Sequence, residues 1–319
     1  MAVLTMLDIA KRTGNDPAIG LIEENIKYAP EVRVFPFRPI AGTSYKAAIR
    51  TGLPTTGFRA ANEGQTPSKS TLKQVLFECF IFGGIVEVDK KVADADPAGA
   101  ESVQAMESSG TAMSAMRGLG SQIWYGVDAD GKGFPGLKYV TPFGAVTSVG
   151  DPLTTNATGT TALTASSVYF VKFGPQDITL IGGDGKTFEL DEFTVQQIVA
   201  ANCGKLMAYV AGLQSWIGLQ TGNENSVRRI CNITAENNKT LTDNLMNTAI
   251  ATFPVGWVPD AIFMSRRSCT QLQNSRTVVL QGQGTNRPDQ PNIAPRPTSF
   301  NGIPIYESDS ILNTDAIET

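Results

Sequence analysis

The side chains that could do chemistry are few, and their spacing argues against most of it. The 319-residue chain contains no histidine, which removes the commonest general base and the commonest transition-metal ligand. Ser-His and Cys-His nucleophilic pairs are therefore impossible within it. Cys79, Cys203, Cys231 and Cys269 are widely spaced, form no CxxC and lie in or beside apolar segments. They read as buried free thiols. Glu189, Asp191 and Glu192 in "ELDEF" are close enough for carboxylate chemistry in a histidine-free hydrolase or lyase, but the pattern is that of a solvated acidic turn. Three other runs imitate motifs and fail. Asp128-Ala129-Asp130-Gly131 has glycine at loop position four and Tyr139 at position twelve, where a calcium loop needs glycine at six and glutamate at twelve. Gly185-Lys186-Thr187 would need a glycine at the position of Leu180 to end a phosphate-binding loop. Ser70 and Lys73 make an SxxK spacing with no KTG or SDN partner. No catalytic, cofactor-binding or metal-ligating set is expected.

Composition narrows the class further. Net charge is −4, which argues against a dedicated nucleic-acid binder. No window approaches the roughly 18 apolar residues of a membrane-spanning helix. The opening "MAVLTMLDIAKRTG" has no basic region or cleavage site of a secretory signal. A soluble, unexported protein is expected, in which the sequons at Asn156, Asn232 and Asn238 carry no meaning.

The elements that must position any site follow from periodicity. Residues 1–30 suggest two short helices separated by a break, the second started by Asp16-Pro17. Residues 32–49 turn strand-like, with Pro36 and Pro39 suited to an edge. Residues 50–71 are polar and Gly/Pro-rich, with Leu53 and Phe58 almost their only apolar side chains. A long strand pattern then resumes, placing Val75, Phe77, Cys79 and Ile81 on one face. Two extended runs around a polar tip predict a projecting hairpin. The spacing of Val103, Met106, Met113, Gly120 and Trp124 predicts a helix over 97–125, with Gly110, Gly118 and Gly120 allowing close packing on a sheet. Residues 141–166 read as a surface loop. Three runs over 168–193 read as a meander with "GGDG" as hairpin turn. Residues 205–220, with the strand that follows, favour a β-hairpin. A helix from 240 or 241 to 253, a strand "DAIFM", a helix capped by Ser265 and a loop over 276–298 complete the chain. Arg266, Arg267 and Arg276 read as a solvated helix face. "SFNGIPIYESDSI" at 299–311 is a turn feeding a closing strand.

This order resembles the major capsid proteins of tailed double-stranded DNA bacteriophages, the Hong Kong 97-type fold. "GFPGL" at 133–137 stands where the family has a Gly-rich lead into its next strand. "VPDAIFMSRRSCTQLQNSR" at 258–276 is similar to the strand and helix of its axial domain. In "FNGIPIYESDSI", Gly302 and Pro304 match its recurrent Gly-x-Pro.

The resemblance implies an α+β fold. Residues 1–39 would form an N-terminal arm and lead-in strand, and 40–83 the extended loop over a neighbouring subunit. Residues 84–190 would be the peripheral domain, with spine helix 97–125 and insertion 141–166. Residues 191–297 would be mostly the axial domain, and 298–319 a closing strand returning to the peripheral domain. The implied function is self-assembly through pentamers and hexamers into an icosahedral shell, without enzymatic activity. Arg50, Phe58, Arg59, Glu63 and Lys69 of the extended loop would make inter-subunit contacts. Implied partners are further copies of the chain, a separate scaffolding protein, a portal, decoration proteins and non-specifically held DNA, with no membrane. The implied location is the virion, assembled in the host bacterial cytoplasm. An encapsulin-type nanocompartment is the alternative within the same fold, and a carboxylate-dependent enzyme the alternative outside it.

Overall fold

Strand patterning in this chain resolves into two sheets and one detached ribbon. The computed structural model describes residues 27–127, 132–139, 149, 151–185, 189–199, 204–282 and 293–318. The helices expected before residue 27, the "DADG" turn and Cys203 lie outside the described residues.

The five-stranded sheet is organised by β9 (Lys205–Thr221), a 17-residue strand. Along one edge it pairs with β4 (Phe80–Asp89), from Phe80↔Ile217 to Asp89↔Ala208. Along the other it pairs with β7 (Ile178–Gly182) and β8 (Thr194–Val199). The short β1 (Phe37–Pro39) forms the outer edge, parallel to β7, which suits its proline. The strand-like reading of 32–34 gives way to a single helical turn, α1 (Glu31–Val34).

The six-stranded sheet runs β12-β13-β11-β6-β10-β5. Its central strands β6 (Ser166–Val171) and β11 (Ala261–Met264) are buried on both faces, as continuous apolar runs predict. β10 (Val227–Ile233) pairs with β6, and β5 (Thr154–Asn156) pairs parallel with β10. The loop expected over 141–166 therefore contains an edge strand, and Leu153, Ala157 and Ala165 beside it are buried. The meander over 168–193 is also overturned, because β6 and β7 belong to different sheets. "GGDG" is a turn with Asp184 at φ 59 rather than a hairpin connection. β9 and β10 do not pair either: β4 and β7 occupy β9, and a 3-10 turn at Glu224–Ser226 steers β10 onto β6.

α2 (Lys90–Asp94) leads to α3 (Ala100–Tyr125), whose 26 residues span about 39 Å. The helix starts at Ala100 because Gly99 sits at φ 90, outside helical space. Asp96 instead closes the preceding turn, its Oδ1 accepting from the Ala98 N–H at 2.8 Å. Of the three glycines expected to pack closely, only Gly120 must be small: a Cβ there would stand 2.5 Å from a Glu31 carboxylate oxygen.

α4 (Asp243–Ala251) is capped by Thr242, whose Oγ1 accepts from Leu245 N–H. α5 (Arg266–Gly282) is capped by Ser265, which accepts from Ser268 N–H at 3.3 Å. α5 runs six residues beyond the expected start of the 276–298 loop. Arg266 is exposed, as a solvated face requires, but the other two arginines are not part of one. Arg276 grips Asp243 of α4 at 2.7 Å, and Arg267 donates to the Thr164, Ile233 and Asn313 carbonyls. The unit β11–α5–β13 explains the closing strand (β13, Ile303–Glu307). A helix crossover joins parallel neighbours, so β13 lies beside β11 rather than in the sheet under α3. Asn301 and Gly302, at φ 49 and 81, form the two-residue turn from β12 (Ser299–Phe300).

One core joins both sheets. Phe35, Trp124, Tyr169, Leu180, Leu219 and Phe263 pack together with the end of α3. Trp124 stacks on Tyr169 with ring centres 4.8 Å apart. A buried ionic cluster ties the last residues to this core. Glu318 receives Lys138 at 2.8 Å and Arg229 at 3.0 Å, and Tyr125 donates to Asp315 at 3.0 Å.

Candidate assembly interface

The projecting hairpin is a two-stranded ribbon of β2 (Ser44–Gly52) and β3 (Thr71–Glu78), paired only with each other. Their register runs from Ser44↔Glu78 to Gly52↔Thr71, with a slip beyond Arg50. Its root is fixed by packing of Tyr45, Ala47, Val75 and Phe77 around Cys79, Ile181 and Trp216. Cys79 ends the ribbon, and its N–H donates to Thr43 carbonyl at 2.8 Å. The inward face changes from odd to even residues there. Ile81, expected inward with Val75 and Phe77, is consequently exposed, while Val86 and Val88 are buried. β3 then crosses β9 so closely that a Cβ at Gly218 would lie 2.3 Å from Glu78 carbonyl.

Beyond the strands, residues 53–70 have no regular structure except a turn at 61–62. Their hydrogen bonds are local. Thr55 and Ser68 bridge the two sides at 2.8 and 3.1 Å. Gln65 donates to Gly57 carbonyl at 2.9 Å. At the tip, Arg59 donates to Glu63 carbonyl at 2.7 Å, and Glu63 Oε2 accepts from Ala60 N–H at 3.2 Å. Asn62 completes this turn at φ 69, a conformation asparagine tolerates.

The five residues singled out by sequence are thus distributed along the ribbon. Arg59 and Glu63 meet, through backbone partners that shape the tip. Arg50 lies opposite Leu72 on the strands, Lys69 lies on the returning limb, and Phe58 is fully exposed with Leu53. Sequence reasoning missed the site at the root. Tyr45 hydroxyl and Arg38 Nη2 converge on Gln220 Oε1, Arg38 at 2.8 Å. Arg38 also lies 5.1 Å from the Tyr45 ring centre. Burial raises the Tyr45 hydroxyl pKa despite the opposing Arg38 charge. These residues are remote in sequence, so no local signal announced them.

Glu189, Asp191 and Glu192 are exposed. No metal-binding group of three or more acidic or cysteine ligands occurs among the described residues. No described helix is long and apolar enough to cross a membrane. Cys79, Cys231 and Cys269 are buried free thiols.

The family model for major capsid protein GP7 matches residues 40–318. The chain belongs to this family of major capsid proteins. Among solved structures, the bacteriophage Epsilon15 structure matches with a TM-score of 0.70 and 20% identity, covering 100% of this chain and 98% of the other. The bacteriophage JBD30 capsid matches at 0.51 and 11% identity, over 97% and 99% of the two chains. These likenesses bear out the Hong Kong 97-type fold. The SrpI encapsulin of Synechococcus elongatus PCC 7942 reaches 0.44 at 8% identity, over 73% of this chain and 97% of that one. No curated protein matches the chain.

Proposed function

We propose that this capsid-family chain assembles through pentamers and hexamers into the icosahedral shell that encloses a tailed-phage genome. The observation that carries the reading is the ribbon: it projects from the sheets, pairs its strands only with each other and exposes Leu53 and Phe58 to solvent. A segment built this way gains its apolar burial from another copy. Arg50, Phe58, Arg59, Glu63 and Lys69 are the proposed contacts. The five-stranded sheet with α3 corresponds to the peripheral domain, and the six-stranded sheet with α4 and α5 to the axial domain. This division follows the sheets, so β5, β6, β8, β9 and the closing strand fall on the other side of the boundaries drawn from sequence. A scaffolding protein, a portal, decoration proteins and non-specifically held DNA are the proposed partners, with the virion as location after assembly in the bacterial cytoplasm.

Size-exclusion chromatography and negative-stain microscopy test this on the recombinant chain, alone and co-expressed with its scaffold. Rings or shells are expected. Phe58→Ser should lower shell yield while leaving the thermal melt within about 0.5 kcal/mol of wild type, as expected for an exposed site. A chain that stays monomeric in both settings would refute the reading.

A further inference from the structure

Two clefts flank the ribbon root, and their charges are opposite. The first, of about 690 Å3, lies between β2, β1 and the segment after β9. Arg38, Lys46 and Arg50 bring three cations to it against one carboxylate, Glu224. Arg38 is held in position by Gln220 and Tyr45, and its buried Nε has no hydrogen-bond partner. Among the described residues, none of the three cations has an ion-pair partner.

The second cleft, of about 550 Å3, lies beside Ile81 and Trp216. Among the described residues that line it are Asp184, Glu189 and Asp191, with no cation. Its acids are presented on fixed backbone. Asp184 occupies the left-handed turn at φ 59, and Asp191 N–H donates to Gly212 carbonyl of β9 at 2.8 Å. Both clefts border the same root.

A patch and its complement at different places on one subunit make a heterologous contact, and repeated heterologous contacts close rings. Complementary charge also fixes register and excludes wrong pairings. We propose that Asp184 and Asp191 of one copy seat against the Arg38–Lys46–Arg50 cleft of the next copy around a capsomer. This inference rests on the shell-subunit reading above and names the surfaces that meet. A nucleic-acid backbone is the competing anion for the basic cleft, but it gives the acidic cleft no role.

The experiment uses the full chain under the conditions in which wild type forms shells. Lys46 and Asp191 are both exposed, so reversing either charge leaves the fold intact, which the thermal melt checks. Lys46→Glu and Asp191→Lys are each expected to lower shell yield about tenfold, because like charges then face each other at every copy. The double variant Lys46→Glu with Asp191→Lys should recover wild-type yield. Carbodiimide coupling of shells grown from mixed 14N and 15N subunits should join Lys46 to Asp184 or Asp191 in mixed-isotope peptides. Wild-type yield in either single variant, or couplings confined to one isotope, would overturn the proposal. So would a Lys46→Glu variant that forms normal shells but loses affinity for a short DNA duplex, which would assign the cleft to nucleic acid. Failure of wild type itself to form rings would instead refute the assembly reading on which this one stands.

Discussion

Replacing Glu318 with glutamine tests whether the last residues are held by charge. The wild-type carboxylate lies 2.8 Å from Lys138 and 3.0 Å from Arg229, with side chains 10% and 1% exposed. At an effective dielectric constant of about 20, each contact is worth about 6 kcal/mol in gross attraction. Desolvation cancels most of that, and breaking a buried pair costs about 3–5 kcal/mol net because the remaining charge is stranded. Asp315 remains near both cations, so Glu318→Gln belongs at the low end, about 3 kcal/mol. For a chain of 319 residues that is a fall in Tm of about 4.5 °C. The exposed Lys90–Asp94 pair serves as a control, and Asp94→Asn should cost under about 0.5 kcal/mol. Burial alone would raise the Glu318 carboxyl, but Lys138 and Arg229 outweigh it and hold it below the ordinary value of 4.5. Its stabilisation is therefore complete above that value and is lost as pH falls through the lower folded one. The deficit of Glu318→Gln should be full at pH 7 and shrink below about pH 4. Burial raises the Asp315 carboxyl and works in the opposite sense, but Asp315 is present in both proteins and largely cancels. Urea titrations of unassembled subunit at pH 7 and pH 3.5 decide the matter. A deficit below 0.5 kcal/mol at pH 7, or one unchanged at pH 3.5, would refute the reasoning.

Two further predictions concern the sheet and the thiols. A Cβ at Gly83 would stand 1.9 Å from the Leu213 carbonyl oxygen, so Gly83→Ala should cost about 3 kcal/mol by forcing β4 from β9. Circular-dichroism melts of the two proteins measure it, and a neutral result would show that the strands separate freely. Burial pushes the Cys79, Cys231 and Cys269 thiols up to about 11, so these three should resist Ellman's reagent at pH 8 until denaturant is added. Early labelling of any of them, located by peptide mapping, would contradict their burial.

Local chemistry was legible in this sequence wherever the signal was local. Asn301-Gly302, the Ser265 cap, the periodicity of α3 and the polar tip between two extended runs each specify their element through neighbours a few residues away. Strand partners were not, because pairing depends on which edges remain free. "VYFVKF" and "DITLI" are adjacent and equally apolar, yet β6 and β7 enter different sheets. The βαβ unit β11–α5–β13 carried enough information to place the closing strand: a strand, a helix and a strand imply parallel neighbours. The ribbon was foreseen as a shape, and five of its residues were named, but the Arg38–Tyr45–Gln220 contact at its root joins positions 182 residues apart.

The aromatic cluster around Trp124 belongs to neither sheet alone. A force applied to the six-stranded sheet reaches Phe263 and Tyr169, then Trp124, then Leu180 and Leu219 of the other sheet, through side chains already in contact. Close-packed interiors yield little under such loading. The body of the subunit therefore behaves as one stiff block. The ribbon joins that block through residues 40–43 and Cys79, which are hydrogen-bonded and packed, so adjustment between neighbouring copies is left to residues 53–70 beyond the strands, whose hydrogen bonds are local.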